Sequence, residues 1–182
     1  MQRLYDFIRR HPTGVDSFWA VMLLGFSMLW VAQVPVGAEP ALVAAGIVLL
    51  LCLSVALRRR APEKMLLLVA GIGVAQLALD IATNPADFAM LVVIYTVAAQ
   101  SDGPRWASRL ALVGGVSAAP LAQLRWPVEN VSTAGQVFFT VVLSVPFVLA
   151  WVLGDSMRTR RAYFEQLEER ATRLEKEREA QA

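Results

Sequence analysis

Residues 134–154 read AGQVFFTVVLSVPFVLAWVLG, an apolar stretch without a single charged side chain. The hydrocarbon core of a bilayer is about 30 Å thick, and about 20 apolar helical residues are needed to cross it. The composition changes directly after this stretch: of the 32 Asp, Glu, Lys and Arg residues in the chain, 14 fall within residues 155–182. An apolar helix followed by a charged one predicts a membrane region joined to a water-exposed helix.

Five more windows of the same kind precede residue 134. The 182-residue chain is 57% hydrophobic and 18% charged, whereas about 25% of a soluble domain is charged. A soluble protein of this size is too small to bury six such helices. We therefore predict an all-α integral membrane fold, in which residues 1–154 form a domain of six transmembrane helices. The predicted spans are residues 17–36, 40–57, 65–82, 87–100, 108–124 and 134–154, and the fourth is marginal in length.

Positive charge is concentrated in alternate loops. Twelve Lys and Arg residues lie in the N-terminal segment, in the second and fourth loops and at the start of the tail, whereas the opposite loops contain only Arg125. Short loops rich in Lys and Arg stay on the cytoplasmic side. Tryptophan prefers the boundary between water and hydrocarbon, and all five fall at predicted span edges: Trp19, Trp106 and Trp151 inside, Trp30 and Trp126 outside. Both signals predict that the N-terminus and the C-terminus are cytoplasmic.

Motifs for catalysis are missing from the sequence. It has no phosphate-binding glycine loop, no metal-spaced His or Cys set and no Ser, His, Asp constellation. The single histidine, His11, precedes the first span and is expected to be solvated. The net charge of +2 is too small to predict nucleic-acid binding. We predict no catalytic, cofactor-binding or metal-binding residue in this chain.

Asp80 is the only acidic residue within a predicted span other than Asp87, the first residue of the fourth, and Gln76 lies one turn before Asp80. A carboxylate within a bilayer is costly, so Asp80 and Gln76 are candidates for sensing. Because Asp80 is close to the outer end of the span, an interfacial anchor or a structural hydrogen bond is an open alternative. A small transporter or channel-like protein with a partner-recruiting tail is the alternative function. Pro120 and Pro146 interrupt two spans, but the second span has no matching break, which weakens that alternative.

Residues 155–182 predict one continuous cytoplasmic helix. This segment contains neither glycine nor proline, and its apolar residues recur at the heptad positions of a parallel coiled coil. The predicted interface residues are Phe164, Leu167, Ala171 and Leu174. A single solvated helix with salt bridges four residues apart is the alternative. Because a bilayer confines two copies and raises their effective concentration, we predict a homodimer.

The junction between membrane and tail carries two further predictions. Gly154, Asp155 and Met157 are expected to transmit changes from the sixth span into the coiled coil, with Gly154 as the most compliant point. Arg158, Arg160 and Arg161 are expected beneath the bilayer, where each gains about 1 kcal/mol from anionic lipid headgroups. No helix stop signal occurs near residue 182, so we expect a truncated part of a longer chain.

Two segments carry a family resemblance. The first consists of Arg9, Arg10, His11, Pro12, Val15 and Asp16. The second is WVLGD at 151–155 with Arg158, Arg160, Arg161, Tyr163, Leu167, Glu168, Glu169, Arg170, Ala171, Arg173, Leu174 and Glu175. They resemble the membrane-sensor region of actinobacterial two-component histidine kinases, in the branch paired with LuxR-type response regulators.

The resemblance implies a bacterial plasma-membrane protein whose parent chain is an ATP-dependent protein-histidine kinase. In that family the coiled tail continues into a helix bearing Arg-Glu-Leu-His-Asp, whose histidine is phosphorylated, and then into an ATP-binding domain. Neither is present in these 182 residues. ATP, Mg²⁺ and the response regulator are therefore expected to contact only the missing domains. The implied function of this chain is that of a membrane input module, which transmits a membrane or small-ligand signal through the sixth span into the dimeric coiled coil.

Overall fold

The computed structural model describes residues 12–33, 38–100, 105–128 and 130–181. Within these ranges all regular structure is helical, which confirms the predicted all-α class. The α-helices are α1 (Pro12–Gln33), α2 (Ala38–Leu57), α3 (Pro62–Leu79), α4 (Phe88–Ala98), α5 (Arg105–Arg125) and α6 (Thr133–Gln181), and a short 3₁₀ helix, Pro85–Asp87, precedes α4.

Three helices are long and apolar enough to cross a membrane. Among the described residues they are Gly14–Gln33 of α1, the whole of α3 (Pro62–Leu79), and Thr133–Arg178 of α6. The segments Ala41–Leu57 and Pro85–Ala98 are apolar but shorter. The membrane part of α6 is hardly covered by the rest of the chain, since Val137 and Phe138 are 59% and 64% exposed. Apolar surface of this extent is rare on a soluble monomer. The chain therefore has the surface of a membrane protein.

The third helix ends earlier than predicted. Asp80 adopts the left-handed conformation, with φ 58°, and its backbone N–H donates to the carbonyl of Gln76. The N–H of Ile81 donates to the same carbonyl. Helices commonly end in this way, because a left-handed residue turns the chain and satisfies the last carbonyls. The helix in the predicted span 65–82 thus ends three residues early, at Leu79.

The short helix α4, which lies in the fourth predicted window, occupies the interior of the bundle. α4 has only 11 residues and packs against α2, α3, α5 and α6. The residues between 89 and 98 are all half-buried or fully buried, and the fully buried ones cover about half of its circumference: Ala89, Val93, Ile94, Val97 and Ala98. A helix enclosed by other helices does not need the length of one that faces lipid. α1 lies at the periphery, where it packs against α2 and the 3₁₀ helix.

α5 packs through small residues on one face. Ala111, Gly115 and Ala119, spaced four residues apart, are buried. A Cβ atom at Gly115 would lie 2.9 Å from Cδ1 of Ile94 and 3.1 Å from Cβ of Phe147, whereas a Cβ atom at Gly114 would meet nothing within 4 Å. Small residues allow helix backbones to approach closely in membranes.

α6 is one unbroken helix of 49 residues that passes through both Pro146 and Gly154. At 1.5 Å per residue, this helix is about 73 Å long. Its first half packs against α4 and α5. Residues 161–178 are all exposed, so α6 extends well beyond the bundle. The predicted helix from Met157 onward is therefore present as a continuation of the sixth apolar window.

Candidate functional site

The backbone of α6 lies directly against the C-terminal end of α4 at Gly154. This glycine is buried, and a Cβ atom added to it would lie 2.6 Å from the carbonyl oxygen of Tyr95 and 2.7 Å from Cβ of Ala98. Optimal separation between carbon atoms is about 3.5–4.0 Å. Only glycine allows this approach. Gly154 is thus a close contact within a continuous helix, and the helix has no break there.

One turn earlier, a hydrogen bond joins α6 to α5. Nε1 of Trp151 donates to both the carbonyl oxygen and the Oγ of Ser108, each at 3.0 Å. Ser108 is only 5% exposed. A buried indole N–H needs such an acceptor. Within one turn, therefore, α6 is held by α5 at Trp151 and by α4 at Gly154, and a displacement of either helix acts directly on α6.

The other predicted junction residues lie just beyond this contact. Asp155 is half-buried, and its backbone carbonyl accepts a hydrogen bond from Oγ1 of Thr159 at 3.0 Å. Met157 is exposed. Arg158 is half-buried, whereas Arg160 and Arg161 are exposed. The three predicted headgroup-binding arginines thus do not share one environment.

The predicted coiled-coil residues form an exposed apolar row on the free part of α6. Phe164, Leu167 and Leu174 are 58%, 40% and 60% exposed, and Ala171 between them is exposed as well. Apolar side chains at heptad spacing on a charged helix are typical of a surface that pairs with another helix. We call Phe164, Leu167, Ala171 and Leu174 the heptad seam.

A buried ion pair at the start of α1 was missed by the sequence analysis. Asp16 is 1% exposed. Its Oδ1 lies 2.5 Å from an NH2 nitrogen of Arg58, and Arg59 donates to both of its carboxylate oxygens. Because α1 and α2 are joined by a short loop, a carboxylate early in α1 and arginines after α2 lie at the same end. That complementarity was the signal available in the sequence. Arg3, Arg9, Arg10 and His11 lie outside the described residues.

The two candidate sensing residues belong to separate networks. Nε2 of Gln76 donates to Oδ1 of Asp87 at 3.0 Å, and Oδ2 of Asp87 accepts from the backbone N–H of Asn84 at 2.7 Å. Gln76 is 4% exposed. This side chain therefore ties α3 to the turn that begins α4. Neither of these hydrogen bonds includes the Asp80 carboxylate.

Asp80 bonds to the residues that end α5. Its Oδ2 lies 2.9 Å from an NH2 nitrogen of Arg125, and its Oδ1 accepts from Nε1 of Trp126 at 2.9 Å. The Asp80 side chain is 56% exposed. These bonds join the end of α3 to the end of α5, so Asp80 makes a structural hydrogen bond, one of the alternatives that the sequence left open. The same arrangement also pairs the one basic residue predicted on the outer side with a carboxylate.

Comparison with known proteins gives one match. The model of a family described as a domain of unknown function, DUF7134, matches residues 4–161. No curated protein and no solved structure matches the chain. Among the described residues, no group of three or more His, Cys, Asp or Glu side chains is placed to hold a metal ion.

Proposed function

The chain belongs to the DUF7134 family of domains of unknown function, and we propose that it is the membrane input module of a two-component sensor histidine kinase. In this proposal the helical bundle receives a membrane or small-ligand signal, and α6 carries it into a dimeric coiled coil. The observation that carries the proposal is the continuity of α6, which is held by α4 and α5 around Gly154 and then extends, exposed, along the heptad seam.

Mechanical continuity gives the proposal its mechanism. A ligand or bilayer change that stabilises one packing of α4 against α6 shifts the population of that packing, provided it binds the two arrangements differently. Coupling free energies of about 1–3 kcal/mol are typical of such switches. Because the helix passes unbroken from Gly154 to the heptad seam, a rotation or translation of α6 at Gly154 also moves the heptad seam.

Contacts between residues predicted on the same side support a topology of six spans, and the loop charges orient it with both termini in the cytoplasm. On the proposed inner side, Asp16 pairs with Arg58, and Trp151 bonds to Ser108. On the proposed outer side, Asp80 bonds to Trp126. α2 and α5 contain 20 and 21 residues, which at 1.5 Å per residue reach about 30 Å. α4 crosses in the interior of the bundle, together with the 3₁₀ helix before it.

The kinase assignment rests on the resemblance of the N-terminal segment and of residues 151–175 to sensor regions of two-component kinases. The geometry adds one supporting feature, because the residues that match at 151–155 are the ones that contact α4 and α5. A transporter predicts a different use of the outer networks, namely substrate flux in liposomes that depends on Asp80 or Gln76.

Disulfide cross-linking tests the dimeric heptad seam. Cys52 is the only cysteine, so a Cys52→Ser background is free of other thiols. A disulfide requires Cα atoms about 4.4–6.8 Å apart, a distance that facing core positions of a parallel dimer meet. We expect Leu167→Cys and Leu174→Cys to form dimers in oxidised membranes. Glu169→Cys, on the outer face of the same helix, is the matched control. Equal cross-linking at all three positions, or none, would contradict a seam at these residues.

Phosphorylation of the parent chain tests the kinase assignment. The full-length protein that carries residues 1–182 is incubated with γ-labelled ATP and Mg²⁺. We expect label that is stable in base and labile in acid, because a phosphorus–nitrogen bond on histidine has these properties. A parent chain that takes up no phosphate, while liposomes show flux that is lost in Asp80→Asn, would favour the transporter.

A further inference from the structure

A cleft of about 360 Å³ opens between the start of α5 and the middle of α6. Its polar lining comes from both helices and comprises Arg105, Ser108, Arg109, Asp155, Arg158 and Thr159. Trp151 also lines the cleft, and its bond to Ser108 joins the two walls. The cleft is therefore built at the point where α6 leaves the bundle.

The cleft carries an excess of positive charge. Three guanidinium groups, those of Arg105, Arg109 and Arg158, and one carboxylate, that of Asp155, line it. Arg105 and Arg109 are four residues apart, so they share one face of α5. Both are exposed, and neither forms an ion pair with another described residue. Like charges held together in this way favour an anion between them.

The position of two of these arginines within α5 adds to this preference. The first turn of a helix has a partial positive charge, and the first turn of the described part of α5 contains Arg105 and no acidic residue. This end of α5 therefore adds to the positive potential of the cleft.

We propose that this cleft binds a phosphate group, supplied by an anionic phospholipid of the inner leaflet. Basic pockets between helices on the cytoplasmic side are suited to such headgroups. The adjoining surface is suited to acyl chains, because Trp106, Leu110 and Val113 are 52%, 43% and 64% exposed on α5. A bound phosphate bridges Arg105 and Arg109 of α5 to Arg158 of α6, which stabilises the packing at Trp151 and Gly154. Only this effect on the tail depends on the proposed kinase function; the binding does not.

Lipid titration of the purified chain tests the site. The protein in neutral detergent is titrated with dioleoyl-phosphatidylglycerol, and bound lipid is counted by native mass spectrometry. An arginine beside an anionic headgroup contributes about fivefold in affinity, so Arg105→Gln/Arg109→Gln should weaken binding about 25-fold. Arg60→Gln/Arg173→Gln removes the same charge from exposed positions outside the cleft and should change binding less than about twofold. Arg105→Lys/Arg109→Lys should retain most of the affinity. Circular dichroism establishes that each variant is folded.

Three results would overturn the proposal. Equal losses in the two Gln variants would show charge attraction without a site, and equal binding of dioleoyl-phosphatidylcholine would show that the phosphate charge is not selected. Binding of inorganic phosphate as tight as that of the lipid, with the same sensitivity to Arg105→Gln/Arg109→Gln, would assign the cleft to a soluble ligand. None of these measurements involves a kinase domain, so failure here leaves the kinase proposal standing, and loss of the kinase proposal leaves the lipid site.

Discussion

Replacing Gly154 by alanine places one methyl group where the structure has no room for it. The added Cβ would lie 2.6 Å from the carbonyl oxygen of Tyr95, 2.7 Å from Cβ of Ala98 and 3.1 Å from the backbone nitrogen of Ala99. Two of these three atoms belong to the backbone of α4 and of the residue that follows it, so they cannot rotate away. The two helices must therefore separate by about 1 Å to restore normal contact distances.

The expected change in the free energy of unfolding is the difference between two opposing contributions. Extra methyl groups in a packed interior cost about 1–3 kcal/mol. Alanine is favoured over glycine within a helix by about 1 kcal/mol. Gly114→Ala makes the same change in helix α5 at a position where the new Cβ meets nothing within 4 Å. Gly114→Ala therefore gains the helix preference of alanine without the cost of a crowded methyl group. Gly154→Ala should be about 2 kcal/mol less stable than Gly114→Ala.

Reversible unfolding in mixed micelles measures this difference. Each variant is titrated with sodium dodecyl sulfate, and the loss of bundle structure is followed by far-UV circular dichroism. We expect the transition of Gly154→Ala to shift to lower detergent fraction and that of Gly114→Ala to stay or to move higher. If both variants unfold at the same point, α6 does not lie against α4 as described, and the transmission contact loses its basis.

Two further comparisons test the bonds of Asp16, Asp80 and Trp151. Asp16→Asn leaves two arginines without their buried carboxylate and should destabilise the fold by about 3 kcal/mol. This value is at the low end for a buried pair because half of the Arg59 side chain is exposed. Asp80→Asn removes an exposed pair and should cost less than about 1 kcal/mol. Equal costs in the detergent titration would refute this ranking. Trp151→Phe loses the bond to Ser108 and should cost about 1 kcal/mol, whereas exposed Trp106→Phe should be neutral, so a larger effect at Trp106 would contradict the assigned contact.

Local sequence patterns predict where the helices lie. They predict less accurately the residues at which the helices end. A charge-free apolar window predicts a helix because lipid or protein must cover every side of it, and all six windows contain one. The helix predicted at 65–82 ends at Leu79 because Asp80 adopts a left-handed conformation, and the Asp80 side chain bonds to Arg125 and Trp126, 45 residues or more along the chain. Such long-range partners leave no trace in local composition.

The candidate site divides in the same way. Gly154 and the seven-residue apolar repeat can be recognised from residue type and spacing, because both signals are local. The sequence predicted compliance at Gly154, however, and the structure has a close contact in a continuous helix there. The bond from Trp151 to Ser108 and the burial of Asp16 depend on which helices become neighbours. The marginal fourth window was difficult for a related reason: its shortness makes sense only once α4 is found in the interior.

Inserting residues after Asp155 in the full-length parent chain tests the central claim most directly. The claim is that α6 passes the state of the bundle to the heptad seam as one rigid helix. Insertions of one to seven alanines rotate the seam by about 100° each relative to Gly154, and seven restore the heptad phase. The account predicts that autophosphorylation changes with one or two insertions and returns at seven. Autophosphorylation that is the same for every insertion length would contradict it.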